Sequence, residues 1–168
     1  DKKNELIWLF SKNVTRTSTK AQYKISVGFF VLKNKELETG FKYDAFCYFP
    51  TKEDTKLGFI IQAPFLLTDS REGIQANDSW NQALIQRLGE LAAESFPLLK
   101  EIGVKNGSNF FNDNILELTP YNQNDFPTYT ANAKISFRPF YDEIQKAFRN
   151  QQIIPGTNGN YFTTSKAY

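Results

Sequence analysis

The sequence predicts an α+β fold, a mostly antiparallel sheet packed against helices as an α/β sandwich. Three observations carry this reading. Apolar runs rich in aromatic and β-branched residues fill much of the first 67 residues and alternate with short charged connections. After residue 75 the apolar spacing changes to three-, four- and five-residue steps, the signature of an amphipathic helix. A second helical stripe follows Pro139.

The elements follow in chain order. Residues 5–10 are a short apolar run compatible with strand or helix, and residues 11–22 are polar and turn-like. Ile25–Leu32, Tyr43–Phe49 and Leu57–Leu67 read as three strands, with charged turns at 33–40 and 51–56. Short connections between them suggest an antiparallel meander. Trp80, Leu84, Leu88, Leu91, Phe96, Leu99 and Ile102 mark a helix over 78–102. Asn77 or Asp78 can cap its start, Gly103 can close its end, and Pro97 predicts a kink or break. Residues 104–132 are rich in Asn, Asp, Gly and Pro, with a candidate strand at Ile115–Leu118 and another at Lys134–Phe137. Phe140, Ile144, Ala147 and Phe148 share one face of the helix that Pro139 opens, and the Gly-rich tail from Ile153 to Phe162 suits a hairpin. We divide the chain into an N-terminal connecting segment (1–22), an α/β domain (23–150) and a C-terminal hairpin-like extension (151–168).

Composition narrows the function classes. The net charge of +2 is too small to argue for nucleic acid or an anionic membrane as partner. Lys12, Arg16, Lys20 and Lys24 are spaced by Ser and Thr and read as a solvated loop. The chain has no histidine, which removes the His-dependent triads and the commonest transition-metal ligand, and no metal-ligand spacing occurs. Cys47 is the single cysteine; it lies in an apolar run and reads as a core residue. No run approaches the ~18 apolar residues that span a bilayer, and no signal-peptide pattern is present, so we expect a cytoplasmic protein. The chain lacks methionine, and we expect it to be an internal stretch of a larger protein. Phe 16 is a high count, which a Phe-rich core explains; an aromatic binding surface is the other reading.

Most candidate sites are weak. No Gly-rich phosphate loop occurs, Gly156 and Gly159 suit a turn, and the carboxylate pairs Asp142/Glu143 and Asp113/Glu117 stand in polar surroundings. The segment from Leu66 to Gln75 is different. An apolar strand runs into a loop holding Ser70, Arg71 and Glu72, and a long helix follows. A loop held by a rigid strand is where reactive groups are presented. Arginine suits a polyphosphate, because it is always charged and its planar fork donates several hydrogen bonds. A surface ion pair of Arg71 with Asp69 or Glu72 is the alternative.

Ser70-Arg71-Glu72 followed by Gln75 resembles the S-R-E-x-x-Q sequence of the middle domain of the ninety-kilodalton heat-shock chaperones, which are GHKL ATPases. Phe46–Pro50 resembles that family's strand ending in proline, and Trp8 resembles the Trp near that domain's start. Phe148 to Ala167 is similar to a stretch in sacsin-type and plant NO VEIN-type relatives. The likeness covers residues 23–102 well and the rest loosely; Gly73 and the shorter loops depart from the chaperone pattern and favour a divergent bacterial chaperone-like or sacsin-like ATPase.

The resemblance implies an ATPase-coupling domain. Its partner would be the N-terminal ATP-binding domain of the same protein, with client proteins as further partners. ATP with Mg would be bound mainly by that other domain. Arg71 would reach the terminal phosphate with Ser70 and with Gln75 beside it, and the fragment alone would not hydrolyse ATP. Glu72 is expected to orient Arg71 or to cap the next helix. A non-catalytic module that binds a client or partner protein is the competing function.

Overall fold

The computed structural model describes residues 4–108, 110–131 and 134–164. Five strands form one sheet: β1 (Asn4–Thr15), β2 (Gln22–Leu32), β3 (Tyr43–Cys47), β4 (Phe49–Leu57) and β5 (Ile60–Gln62), in the order β1-β2-β5-β3-β4. Helices α1 (Ser79–Lys105) and α3 (Arg138–Asn150) cover one face, with a single helical turn, α2 (Ile115–Leu118), between them in sequence. The α+β class read from the sequence is therefore present.

The path through the sheet is not the meander expected. The β5 strand enters between β2 and β3, antiparallel to the first and parallel to the second. The apolar run 57–67 supplies to the sheet only Leu57, the last residue of β4, and the three residues of β5; residues 63–66 lie in no strand. The charged segment 51–56, read as a loop, is strand β4. Its alternation is real but uses threonine: Thr51, Thr55 and Leu57 are buried while Lys52, Asp54 and Lys56 face water. Each buried hydroxyl is satisfied by β3, Thr51 Oγ1 donating to the Ala45 carbonyl at 2.8 Å and Thr55 Oγ1 to that of Tyr43 at 2.6 Å. The run 5–10 is strand, and the polar residues to Thr15 continue it, paired along their length with β2. The basic stretch 12–24 is thus largely a hairpin rather than a loop.

Helix α1 begins as the capping residues foretell, with the Asp78 carboxylate accepting from the Asn81 N–H at 3.0 Å. It runs unbroken through Pro97 and past Gly103. Its terminator is Gly107, whose φ of +63° needs no Cβ and whose N–H bonds the Val104 carbonyl. Leu84 and Leu88 are fully buried and Leu91 nearly so. Phe96 is the hub of the core, its ring 6.0 Å from Phe29, 6.3 Å from Phe59, 5.8 Å from Phe111 and 6.2 Å from Phe148. Most phenylalanines are spent on this packing.

Two further strand expectations fail. Ile115–Leu118 is helical, with Ile115 and Leu118 buried three residues apart. Lys134–Phe137 is irregular and in no strand; Ile135 and Phe137 are buried, and Ser136 Oγ donates to the Pro127 carbonyl at 2.6 Å. The α3 face and the tail hairpin, Ile154–Pro155 with Tyr161–Phe162, are as read from the sequence. Of the stretch likened to the sacsin-type proteins, residues 165–167 lie outside the described residues.

Candidate functional site

Residues 63–78 join β5 to α1, and from Leu66 onward their backbone is tied at several points. Leu67 and Ile74 form an antiparallel bridge. Above it, the Thr68 N–H bonds the Gly73 carbonyl and the Arg71 N–H bonds the Thr68 carbonyl, both at 2.8 Å, closing a tight turn. Below it stands Asn81, a fully buried amide in the first turn of α1. Its Oδ1 accepts from the Leu66 N–H at 2.8 Å, and its Nδ2 donates to the carbonyls of Leu66 (2.8 Å) and Gln75 (2.9 Å). One side chain thus staples both legs of the loop to the helix. Neighbouring β4 holds the far leg: the Lys52 N–H bonds the Glu72 carbonyl at 2.7 Å, and the Glu53 carboxylate accepts from the Ile74 N–H at 3.1 Å.

Arg71 sits at the tip, exposed, with φ of +58°. That region costs a residue with a Cβ roughly 1–2 kcal/mol, so the surrounding ties hold the backbone there. Among the described residues the guanidinium makes no hydrogen bond and no ion pair; the alternative pairing with Asp69 or Glu72 is not formed. Glu72 neither orients Arg71 nor caps α1. It pairs with Lys52 at 2.6 Å, and Asp78 takes the cap. Ser70 Oγ lies 3.2 Å from Thr68 Oγ1 and accepts from the Glu72 N–H at 3.4 Å. Gln75 stands on the other side of the Leu67–Ile74 bridge, where its Nε2 donates to the Leu67 carbonyl at 2.7 Å. The fold therefore places Ser70 and Arg71 together at the tip and Gln75 at the base.

A groove of about 690 Å³ separates this turn from the β3–β4 turn. Cys47, Tyr48, Phe49 and Pro50 line one side; Leu67, Thr68, Asp69 and Arg71 line the other. Tyr48 and Phe49 are 71% and 80% exposed, and Tyr48 also has positive φ, at +62°. Two left-handed non-glycine residues thus face one groove. Cys47 is only partly buried; burial pushes its thiol above the usual range, against its bond to the Phe65 carbonyl at 3.3 Å, so it stays protonated at neutral pH. Among the described residues no cluster of three or more carboxylates or thiols could hold a metal ion. The groove instead offers the free guanidinium and the Thr68 hydroxyl, donors that suit an anionic oxygen, with the Asp69 carboxylate as the opposing charge on its lining.

Comparisons with protein-family models, curated proteins and solved structures return no match for this chain. Among the described residues no helix is long and apolar enough to cross a membrane.

Proposed function

We propose that this chain is the ATPase-coupling domain of a chaperone-like or sacsin-like GHKL protein, and that Arg71 serves the terminal phosphate of ATP held by the preceding domain. One observation carries the reading: an arginine at a left-handed position, on a loop tied down on both legs, whose guanidinium has no partner among the described residues. A surface arginine kept only for solubility needs no such support. An anchored, water-facing fork is ready to bind an anion brought by another surface, without reordering its own loop.

ATP with Mg supplies the phosphoryl chemistry when bound, and the described residues fit one part of that need. They offer hydrogen-bond donors for phosphate oxygens and no carboxylate cluster for the metal. Arg71 would place charge where it develops during transfer, an arrangement worth orders of magnitude in rate. Because the contact exists only with the terminal phosphate in place, it would also bias domain closure toward the ATP state. Ser70 would support the turn, and Gln75 would hold its base at Leu67.

A partner-protein module is the second reading, favoured by Tyr48 and Phe49 exposed on the same groove. Steady-state ATP turnover by the whole protein separates the two. Arg71→Ala should fold normally and lose about 10- to 1000-fold in turnover at saturating ATP, with Arg71→Lys recovering only part, because a point charge does not replace the fork. Unchanged turnover in Arg71→Ala would refute the coupling role and promote the module.

A further inference from the structure

The sheet has two edges, and they are built differently. Strand β4 is blunted: it carries Pro50 and the charges Lys52, Glu53, Asp54 and Lys56, its pairing is irregular at two points, and the loop at Glu72 covers part of it. Strand β1 has charges only outside its apolar centre, at Glu5 and Lys12, and one register shift, between Asn4 and Leu6; it carries no proline. Among the described residues its backbone bonds only to β2, along the register Asn4–Thr15 against Leu32–Gln22. Leu6 to Phe10 is five consecutive apolar residues without proline or charge. Leu6, Ile7 and Leu9 are 52%, 40% and 56% exposed. Ile7 and Leu9 lie on the sheet face away from α1. A Cβ added at Gly28 would stand 2.9 Å from Ile7 Cδ1 and 3.3 Å from Leu9 Cδ1, so both side chains lie flat over that glycine. Trp8 and Phe10 take the opposite, helix-side face, where Phe10 packs 6.1 Å from Phe29. A long, unprotected, apolar edge of this kind is a template for another strand.

We propose that β1 pairs with β1 of a second copy of this chain, antiparallel about a two-fold axis at Trp8, to join two sheets into one. The sequence of the strand is self-complementary in that register. Residues opposite one another in an antiparallel pair share a face. With the axis at Trp8, Ile7 meets Leu9 of the second copy and Leu9 meets its Ile7, closing one cluster of four aliphatic side chains on the open face. On the helix-side face Leu6 meets Phe10. Moving the axis to Ile7 leaves Leu9 and Phe10 opposite residues outside the Leu6–Phe10 stretch; moving it to Leu9 sets Leu6 against Lys12 and Ile7 against Ser11. The apolar pattern therefore selects one register. The contact is isologous, so it closes at two copies and leaves no β1 edge free for growth.

Sedimentation velocity of the whole chain, from low micromolar to several hundred micromolar, tests this. The expected result is a reversible monomer–dimer equilibrium. Ile7→Lys and Leu9→Lys should each weaken it about tenfold or more, since each change acts twice across the axis. Both sites are exposed, so urea unfolding should stay close to wild type. The double variant Ile7→Lys/Leu9→Glu sets opposite charges face to face in this register alone, and it should dimerise more tightly than either single lysine variant. A monomer throughout the concentration range would overturn the proposal. So would a dimer insensitive to the lysines, or a double variant no tighter than the singles. It would also fall if a chain extended upstream stayed monomeric while protecting the β1 amides from hydrogen exchange, since the edge would then belong to that upstream segment.

Discussion

Asn81 is the residue on which the geometry of the Arg71 loop most depends, and its removal has a calculable cost. In Asn81→Ala the half-buried Leu66 N–H and the carbonyl of exposed Gln75 lose their partner, while the Leu66 carbonyl keeps its bond from the Gln75 N–H at 3.0 Å. The orphaned Leu66 N–H costs about 1–3 kcal/mol, and the Gln75 carbonyl, on an exposed residue, adds less because water can reach it. That loss stands against the roughly 5–15 kcal/mol that holds a domain of this kind together. Asn81→Asp should cost at least as much, because a carboxylate replaces the amide donor beside two carbonyls. Equilibrium urea unfolding, followed by tryptophan fluorescence, measures this; Trp80 adjoins the site. A loss in Asn81→Ala of less than about 1 kcal/mol, with unchanged m-value, would refute the stapling argument.

Three further outcomes are expected. Gly89→Ala should destabilise although alanine favours helices by about 1 kcal/mol, because the new Cβ would stand 3.0 Å from the Pro139 carbonyl oxygen where α1 crosses α3; thermal unfolding measures the sign. Arg71→Gly should unfold no more easily than wild type in urea: relief of the left-handed backbone, about 1–2 kcal/mol, offsets the roughly 0.5–1 kcal/mol of added chain entropy that glycine brings. Burial, aided by the charge of Glu38, pushes the Tyr43 phenol from 10.0 up to about 12. The folded state therefore prefers the neutral phenol, so this contribution is fully present below pH 10 and is lost as pH rises from there toward 12. Tyr43→Phe should flatten that alkaline loss in unfolding curves, and ultraviolet titration should lack one late tyrosine.

Periodicity made the helices legible, because Leu84, Leu88 and Phe96 on α1, and Phe140, Ile144 and Phe148 on α3, bury one stripe each. The strand order was not legible, since β5 pairs through only three residues and nothing local signals that they enter between β2 and β3. Strand β4 was hidden because its buried face is threonine, whose hydroxyls find partners only once β3 lies beside it. Leu116 and Leu118 suit a strand while Ile115 and Leu118 suit a helix, and tertiary packing, which buries the second pair, decides for the helix. At the site, the sequence pointed to Arg71 on an exposed loop but not to what holds it. Asn81 had a signal: it is a polar residue in phase with the apolar stripe of Leu84, Ile85 and Leu88. Lys52 and Glu53 had none, because their role depends on β4 lying against the loop. The exposure of Tyr48 and Phe49 could not be read from an apolar run that otherwise supplies core.

In the proposed coupling role, the Arg71 guanidinium acts on the transferring phosphoryl group of a nucleotide bound outside this chain. The most direct test is single-turnover ATP hydrolysis by the whole protein in excess over ATP, with Arg71→Ala beside wild type and with free guanidinium added to each. Arg71→Ala should bind ATP within a few-fold of wild type, hydrolyse it at least about tenfold more slowly, and regain part of that loss when guanidinium is supplied. A single-turnover rate equal to wild type, with or without guanidinium, would contradict it.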